Sequence, residues 1–336
     1  MSFIVCRAPY RVSFFGGGSD YPAWIEHGPG AVLSTAIDKY IYITCRYLPP
    51  FLGTKHRIVW RHVEQVDSIA EILHPAVREG LRFLKYDDSL GIELHYQGDL
   101  PSQSGMGSSS SFAVALMQAL TCLRGSANDP RALAELAIEL EQKQMSETVG
   151  SQDQVAAAFG GLNVIKFAKS GFDVHPILLS ASRQHDFFSR LMLFFPGRKR
   201  LSSGIAEKVV KNLRDRSNSI RRMVAMVDEG TEILRHGDLD DFGLLLHEAW
   251  ELKRGLSKAI SSVEIDAFYQ LGRAAGAIGG KLLGAGGAGF FLLYVPVEKQ
   301  EAVRNVLTPQ CVHVPFSMDD EGATVIYRAS DLKVQE

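Results

Sequence analysis

The run Pro101-Ser-Gln-Ser-Gly-Met-Gly-Ser-Ser-Ser-Ser111 stands directly before the apolar stretch Phe112-Ala-Val-Ala-Leu-Met-Gln-Ala-Leu120, and no other segment constrains the fold as tightly. Gly105 and Gly107 let the backbone approach an anion closely. The serines add hydroxyl donors, and a helix opening here turns its unpaired N–H groups and the positive end of its dipole toward the same point. The run therefore predicts a phosphate cradle made of Gly105, Met106, Gly107, Ser108, Ser109 and Ser110. No lysine follows Gly107, which excludes the Gly-x-x-x-x-Gly-Lys-Ser/Thr phosphate loop. Met106 between the two glycines excludes a Gly-x-Ser-x-Gly nucleophile elbow. A Gly/Ser loop that only caps a buried helix is the competing reading.

Composition narrows the function classes. The 336 residues suggest about two domains. A hydrophobic share of 46% and a charged share of 22% are those of a soluble globular chain, and a net charge of -2 offers no basic field for nucleic acid or an acidic membrane. Cys6, Cys45, Cys122 and Cys311 lie far apart with no Cys-x-x-Cys, so neither zinc nor a disulfide framework is expected. Arg7 and Arg11 interrupt the only early apolar stretch, which argues against a signal peptide. The expected location is a reducing cytoplasm, with no membrane partner.

Strand-like content marks 37–48 and 91–96, and helical patterning marks 110–123 and 131–145. In the second helix Leu133, Leu136, Ala137 and Leu140 define a core face, with Glu141 beside it. The loop Gly150-Ser-Gln-Asp-Gln154 opens a short helix over 155–159, and strands follow at 162–167 and 173–178. The pattern restarts with a buried strand at 191–195, helices at 203–234, 238–256 and 264–277, a strand at 290–295, a helix at 297–307 and a strand near 324–328. An α+β chain with domains 1–185 and 186–336, and a site between them, is the expectation.

Two more glycine clusters, Ala8-Pro-Tyr-Arg-Val-Ser-Phe-Phe-Gly-Gly-Gly-Ser-Asp-Tyr-Pro22 and Gly279-Gly-Lys-Leu-Leu-Gly-Ala-Gly-Gly-Ala-Gly289, flank the serine run. In this order the three segments resemble the first, second and third signatures of the GHMP kinase superfamily. The resemblance implies a two-domain GHMP kinase fold, in which an N-terminal domain like ribosomal protein S5 domain 2 is followed by a ferredoxin-like domain. It also implies ATP-dependent phosphoryl transfer with Mg²⁺, which asks of a protein chiefly positioning and charge neutralisation.

By resemblance, Ser109 or Ser108 together with Glu141 would hold Mg²⁺, and Asp153 would be the catalytic base with Arg11 beside it; Asp153 also sits where a helix-capping aspartate would be expected. Gly17, Gly18, Ser19, Asp20 and Tyr21 would grip the sugar, and Gly284, Gly286 and Gly287 would bring backbone N–H groups toward substrate or phosphate. Galactokinases carry Glu and His where Gly17 and Gly18 stand, so galactose is disfavoured. The triple-glycine version resembles the branch of D-glycero-D-manno-heptose 7-phosphate kinases and fucokinase-like enzymes, and His74-Pro75, the Gly150-Ser-Gln-Asp-Gln154 loop and Lys281-Leu-Leu-Gly-Ala-Gly-Gly287 are similar to the heptose 7-phosphate kinase group. That similarity implies phosphorylation of the anomeric hydroxyl to give the 1,7-bisphosphate for activated-heptose and surface polysaccharide synthesis. Arg198 in Arg198-Lys-Arg200 is a candidate clamp for the substrate's own phosphate, against a solvated basic turn. The partners implied are a sugar phosphate and ATP, and a homodimer is compatible with the reading. Competing classes are another GHMP small-molecule kinase of fucose, arabinose or mevalonate type, and a non-catalytic sugar and nucleotide sensor. An acyl-transfer enzyme lacks a visible His/Asp partner set.

Overall fold

A computed structural model describes residues 3–197, 203–213 and 215–329. The first strand, β1 (Phe3–Phe15), is followed by the short helix α1 (Pro22–Ile25) and the long strand β2 (Gly30–Leu48). β1 and β2 pair antiparallel, Arg11 opposite Ala36, with irregularities after Pro9 and Ser13. β3 (His56–Val59) and β4 (Val63–Val66) form a hairpin, and α2 (Pro75–Phe83) leads to β5 (Gly91–Gly98). α3 (Ser108–Leu123), α4 (Pro130–Glu139) and α5 (Gln152–Phe159) come next, then the hairpin β6 (Leu162–Ala168) and β7 (Gly171–Pro176).

β2 is longer than the sequence pattern suggests because its two halves have different neighbours. Gly30 to Thr35 pair with β6, and Ile41 to Leu48 pair with β5. α3 lies across β1 and β2 with nearly every side chain from Ser110 to Leu123 buried, which is why this helix is apolar all round.

α6 (Ala181–Ser189) leads into β8 (Leu191–Phe195), followed by α7 (Ser203–Asn212), α8 (Ser217–Arg235), α9 (Leu239–Leu256) and α10 (Val263–Ala274). β9 (Gly279–Leu282), β10 (Phe291–Tyr294), α11 (Gln300–Leu307), β11 (Val312–Val314) and β12 (Thr324–Ala329) complete the order. The second sheet runs β11-β8-β10-β9, all antiparallel. The expected junction at 185/186 falls inside α6, and β12 returns to pair antiparallel with β1 at the edge of the first sheet. Phe14, Phe15, Phe187 and Phe242 meet edge to face, tying the two halves together beneath the cleft.

Three expected elements are corrected. The helix over 131–145 is α-helical only to Glu139 and continues as a π-helical turn, Leu140–Gln144. The segment 203–234 is two helices, the first ending at Asn212 and the second beginning at Ser217, and the helix expected from Val297 begins as a 3₁₀ turn, Val297–Lys299. Cys6, Cys45 and Cys122 are buried and all four cysteines are free.

Candidate active site

The cleft between the halves holds a cavity of about 540 Å³. The middle of β1 delivers Arg11 to its floor. The Arg11 backbone N–H donates to the carbonyl of Met106 at 3.2 Å, stitching the glycine loop to β1. Its guanidinium donates Nε to Asp153 Oδ1 and Nη2 to Asp153 Oδ2, both at 2.7 Å, and Nη1 to the carbonyl of Gly105 at 2.9 Å. This two-pronged pairing fixes the carboxylate's position and orientation. Ser151, rather than Asp153, occupies the N-cap of α5, and Asp153 is engaged instead by the ion pair with Arg11.

Gly105 and Gly107 both have left-handed backbone, at φ +79° and +78°, and Gly107 is the N-cap of α3. A Cβ at Gly105 would lie 2.5 Å from the carbonyl oxygen of Leu283, so the loop packs directly against the third glycine cluster. Gly105, Gly107 and Ser108 to Ser110 line the cavity, whereas Met106 is wholly buried beneath it. Ser109 Oγ donates to Glu141 Oε1 at 2.5 Å, and Gln154 Nε2 donates to Glu141 Oε2 at 2.5 Å. Ser108 Oγ instead accepts from the backbone N–H of Gln103 at 3.2 Å.

Glu141 lies in the π-helical turn, a distortion often found at functional sites. It is buried, and burial pushes its carboxyl up to about 7 against the lowering effect of the Ser109, Ser110 and Gln154 hydrogen bonds.

On the opposite wall, Gly17, Gly18, Asp20 and Tyr21 line the cavity. Asp20 is buried and accepts from the N–H groups of Gly18 at 3.0 Å and Gln152 at 3.2 Å. Burial, and then the nearby charge of Asp153, raise its pKa. Ser19 faces the other way: its hydroxyl donates to the carbonyls of Gly16 at 2.8 Å or Ala31 at 3.0 Å and accepts from the Ala31 N–H. Ser19 therefore shapes the loop and does not line the cavity. Of the third cluster, Gly284 and Ala285 reach the cavity, while Gly286 and Gly287 pack on Ile260, Gly287 N–H donating to its carbonyl at 2.8 Å. Arg198 lies outside the described residues.

Two cations escaped the sequence reading. Lys253 on α9 and Lys281 on β9 both line the cavity and are the only buried lysines among the described residues. Burial, and then the charge of Arg11, depress Lys281 to about 7. Burial and the charges of Lys281 and Arg11 hold Lys253 well below the ordinary lysine range. Lys281 stood inside a glycine cluster read for its backbone. Lys253, in Glu251-Leu-Lys-Arg254, has no local signal separating it from a solvated helix charge.

This combination of a glycine-serine loop at a helix N-terminus, a part-buried Arg–carboxylate pair and a second lobe closing the cleft is that of a small-molecule kinase. The GHMP kinases N terminal domain matches residues 70–161 and the GHMP kinases C terminal domain residues 231–309. The chain belongs to the GHMP kinase family and is an ATP-dependent phosphotransferase. It is 27% identical to a D-glycero-alpha-D-manno-heptose 7-phosphate kinase of Campylobacter jejuni, over 96% of this chain and 98% of that protein. It is 28% identical to a bifunctional fucokinase/GDP-fucose pyrophosphorylase of Arabidopsis thaliana, over 89% of this chain and 30% of that longer protein. A crystal structure of a D-glycero-D-manno-heptose 1-phosphate kinase from Bacteroides thetaiotaomicron superposes with a TM-score of 0.80 at 22% identity, covering 97% of this chain and all (100%) of that one. Among the described residues no helix is long and apolar enough to cross a membrane.

Proposed function

We propose that the protein is a sugar 1-kinase that phosphorylates the anomeric hydroxyl of D-glycero-D-manno-heptose 7-phosphate. The observation that carries the reading is the two-pronged Arg11–Asp153 pair, held against the Gly105 carbonyl at the mouth of the glycine-serine loop. In this reading Asp153 accepts the proton of the sugar hydroxyl. A bond forms from that oxygen to the γ-phosphorus of ATP, and the bond from the γ-phosphorus to the bridging oxygen breaks, releasing ADP. Arg11 keeps the carboxylate oriented and offsets charge growing between donor and acceptor.

The residues fit a nucleotide triphosphate. The N-terminus of α3 opens into the cavity, and Ser13 Oγ and Gln152 Oε1 are buried on its wall without a partner in the protein. They also fit Mg²⁺ as a sparse oxygen site. Among the described residues no cluster of three metal-binding side chains exists, and one carboxylate with one hydroxyl suits an ion that keeps waters and takes phosphate oxygens. Glu141 and Ser109, already in contact, are the pair assigned to it; Ser108 is less suited, since its hydroxyl turns back to Gln103. The metal, when bound, neutralises phosphate charge. Asp20 would accept from sugar hydroxyls, with Gly17, Gly18, Tyr21 and Gly284 around them.

The likeness to the Campylobacter jejuni protein along nearly its whole length supports the heptose phosphate as acceptor. A fucose-type kinase is the second reading, favoured by the likeness to the Arabidopsis protein. ADP release should be measured with heptose 7-phosphate, the unphosphorylated heptose, fucose and mevalonate. A kcat/KM for heptose 7-phosphate roughly tenfold or more above the others is the expected result. A higher value for fucose would replace this reading with the second.

A further inference from the structure

Lys253 and Lys281 are buried, and the one favourable charge acting on them, that of Asp153 on Lys253, makes no direct contact among the described residues. Among the described residues neither makes an ion pair, and their acceptors are backbone carbonyls: Leu282 at 2.8 Å and Gly284 at 2.5 Å for Lys253, Phe14 at 2.8 Å for Lys281. Protonated, as an anionic ligand would favour, each lysine has three N–H donors, so one remains on Lys253 and two on Lys281. Burying two like charges beside the Arg11 guanidinium is costly unless something anionic joins them. Both side chains line the cavity that also holds Arg11, Asp153, Gly105 and Gly284. Gly284, whose carbonyl anchors Lys253, lies directly against Gly105: a Cβ there would be 2.4 Å from the Gly105 Cα.

From this geometry we propose that Lys253 and Lys281 together form a seat for a phosphoryl dianion, placed by the C-terminal half against the Arg11–Asp153 pair. The carbonyl bonds hold the two ammonium groups in position before any ligand arrives, so the seat is pre-formed rather than assembled by flexible side chains. The chemistry is that of a phosphoryl group, from either of two sources: the γ-phosphate of ATP or the acceptor's own phosphate. The link from Lys253 through Gly284 to the Gly105 loop favours the γ-phosphate. The inference deepens the kinase reading and rests on it for the kinetic arm of its test, but not for the binding arm.

The binding arm compares ATP and ADP by calorimetry in the wild type, Lys253→Met and Lys281→Met. If the seat takes the γ-phosphate, each variant loses roughly 10- to 100-fold in ATP affinity, as for one charge-assisted contact, while ADP affinity stays within about twofold. In the kinetic arm, kcat then falls alike with phosphorylated and unphosphorylated heptose. If the seat takes the acceptor's phosphate, ATP affinity is kept and KM rises only for heptose 7-phosphate. Either pattern supports the seat and identifies its source. Folded variants with unchanged nucleotide affinity, kcat and KM overturn it. Should either variant fail to fold, ¹⁵Nζ spectra of the wild-type lysines decide: two buried resonances shift with ATP and not ADP, or with heptose 7-phosphate, and no shift with any of them overturns the seat. A protein that turns over no heptose, yet shows the ATP-over-ADP effect, retains the seat and loses only the substrate reading.

Discussion

The sides of the cleft proposed for donor and acceptor are built on opposite plans. The donor side is one contiguous run, Gly105 to Ser110, at the start of α3, of which all but Met106 line the cavity. The acceptor side is assembled from distant segments, Asp20 and Tyr21 after β1 and Asp153 on α5, while Lys253 on α9 and Lys281 on β9 bring C-terminal cations to the same cavity. Its chemistry lies in buried and half-buried side chains rather than in peptide groups. A backbone cradle needs only glycine conformations and tolerates side-chain change. A wall of buried charges depends on every packed neighbour, because each charge is held by partners far away in sequence.

The largest expected effect falls on the acceptor side. Asp153→Asn should leave ATP binding near the wild-type value and lower kcat by about two to four orders of magnitude, the range for losing a positioned base. Near-normal turnover in the folded variant would remove Asp153 from the chemistry and leave it as the partner of Arg11.

Glu141 joins the two plans, a buried carboxylate serving the donor loop. Its folded pKa, raised to about 7, lies above the ordinary value of 4.5. A raised carboxyl stabilises the fold below pH 4.5, and that contribution is lost as pH rises through 7. Metal-free wild type should therefore lose on the order of 3 kcal/mol relative to Glu141→Gln across this window, read by denaturant unfolding at several pH values. Saturating Mg²⁺ should reduce the loss in the wild type only. Parallel curves for the two proteins, with and without the metal, would contradict the assigned role.

A Cβ added at Gly150 would lie 1.9 Å from Asp20 Oδ2. Gly150→Ala should displace that carboxylate and raise the acceptor KM by roughly 10- to 100-fold, the worth of one charged hydrogen bond, with ATP affinity preserved. An equal loss of ATP affinity would mean that the two sides are not separable. The smallest effect belongs to Ser19→Ala, which removes a buried hydroxyl shared by Gly16 and Ala31. Thermal or denaturant unfolding should register a loss of about 1–3 kcal/mol. A large rise in acceptor KM without that destabilisation would return Ser19 to the substrate site.

The donor loop and the order of the three glycine clusters were legible because local residue type dictates local backbone: positive φ at Gly105, Gly107 and Gly284 is cheap only for glycine. The helix at 110–123 was legible for the same local reason. The end of α7 at Asn212, the π-helical turn after Glu139 and the first half of β2 were not, since helical spacing does not report where a helix is distorted and β2 owes its start to pairing with β6.

By itself the sequence determined the glycine-serine cradle, the residue types Arg11, Asp153 and Glu141, and the membership of a kinase family that these segments signal. Tertiary structure alone decided that Ser19 turns away, that Gly286 and Gly287 pack on Ile260, and that Lys253 and Lys281 enter the cleft. The reason is physical: φ preference is a property of a residue and its neighbours, whereas burial and the pairing of charges are properties of whichever distant segments the packed core brings together.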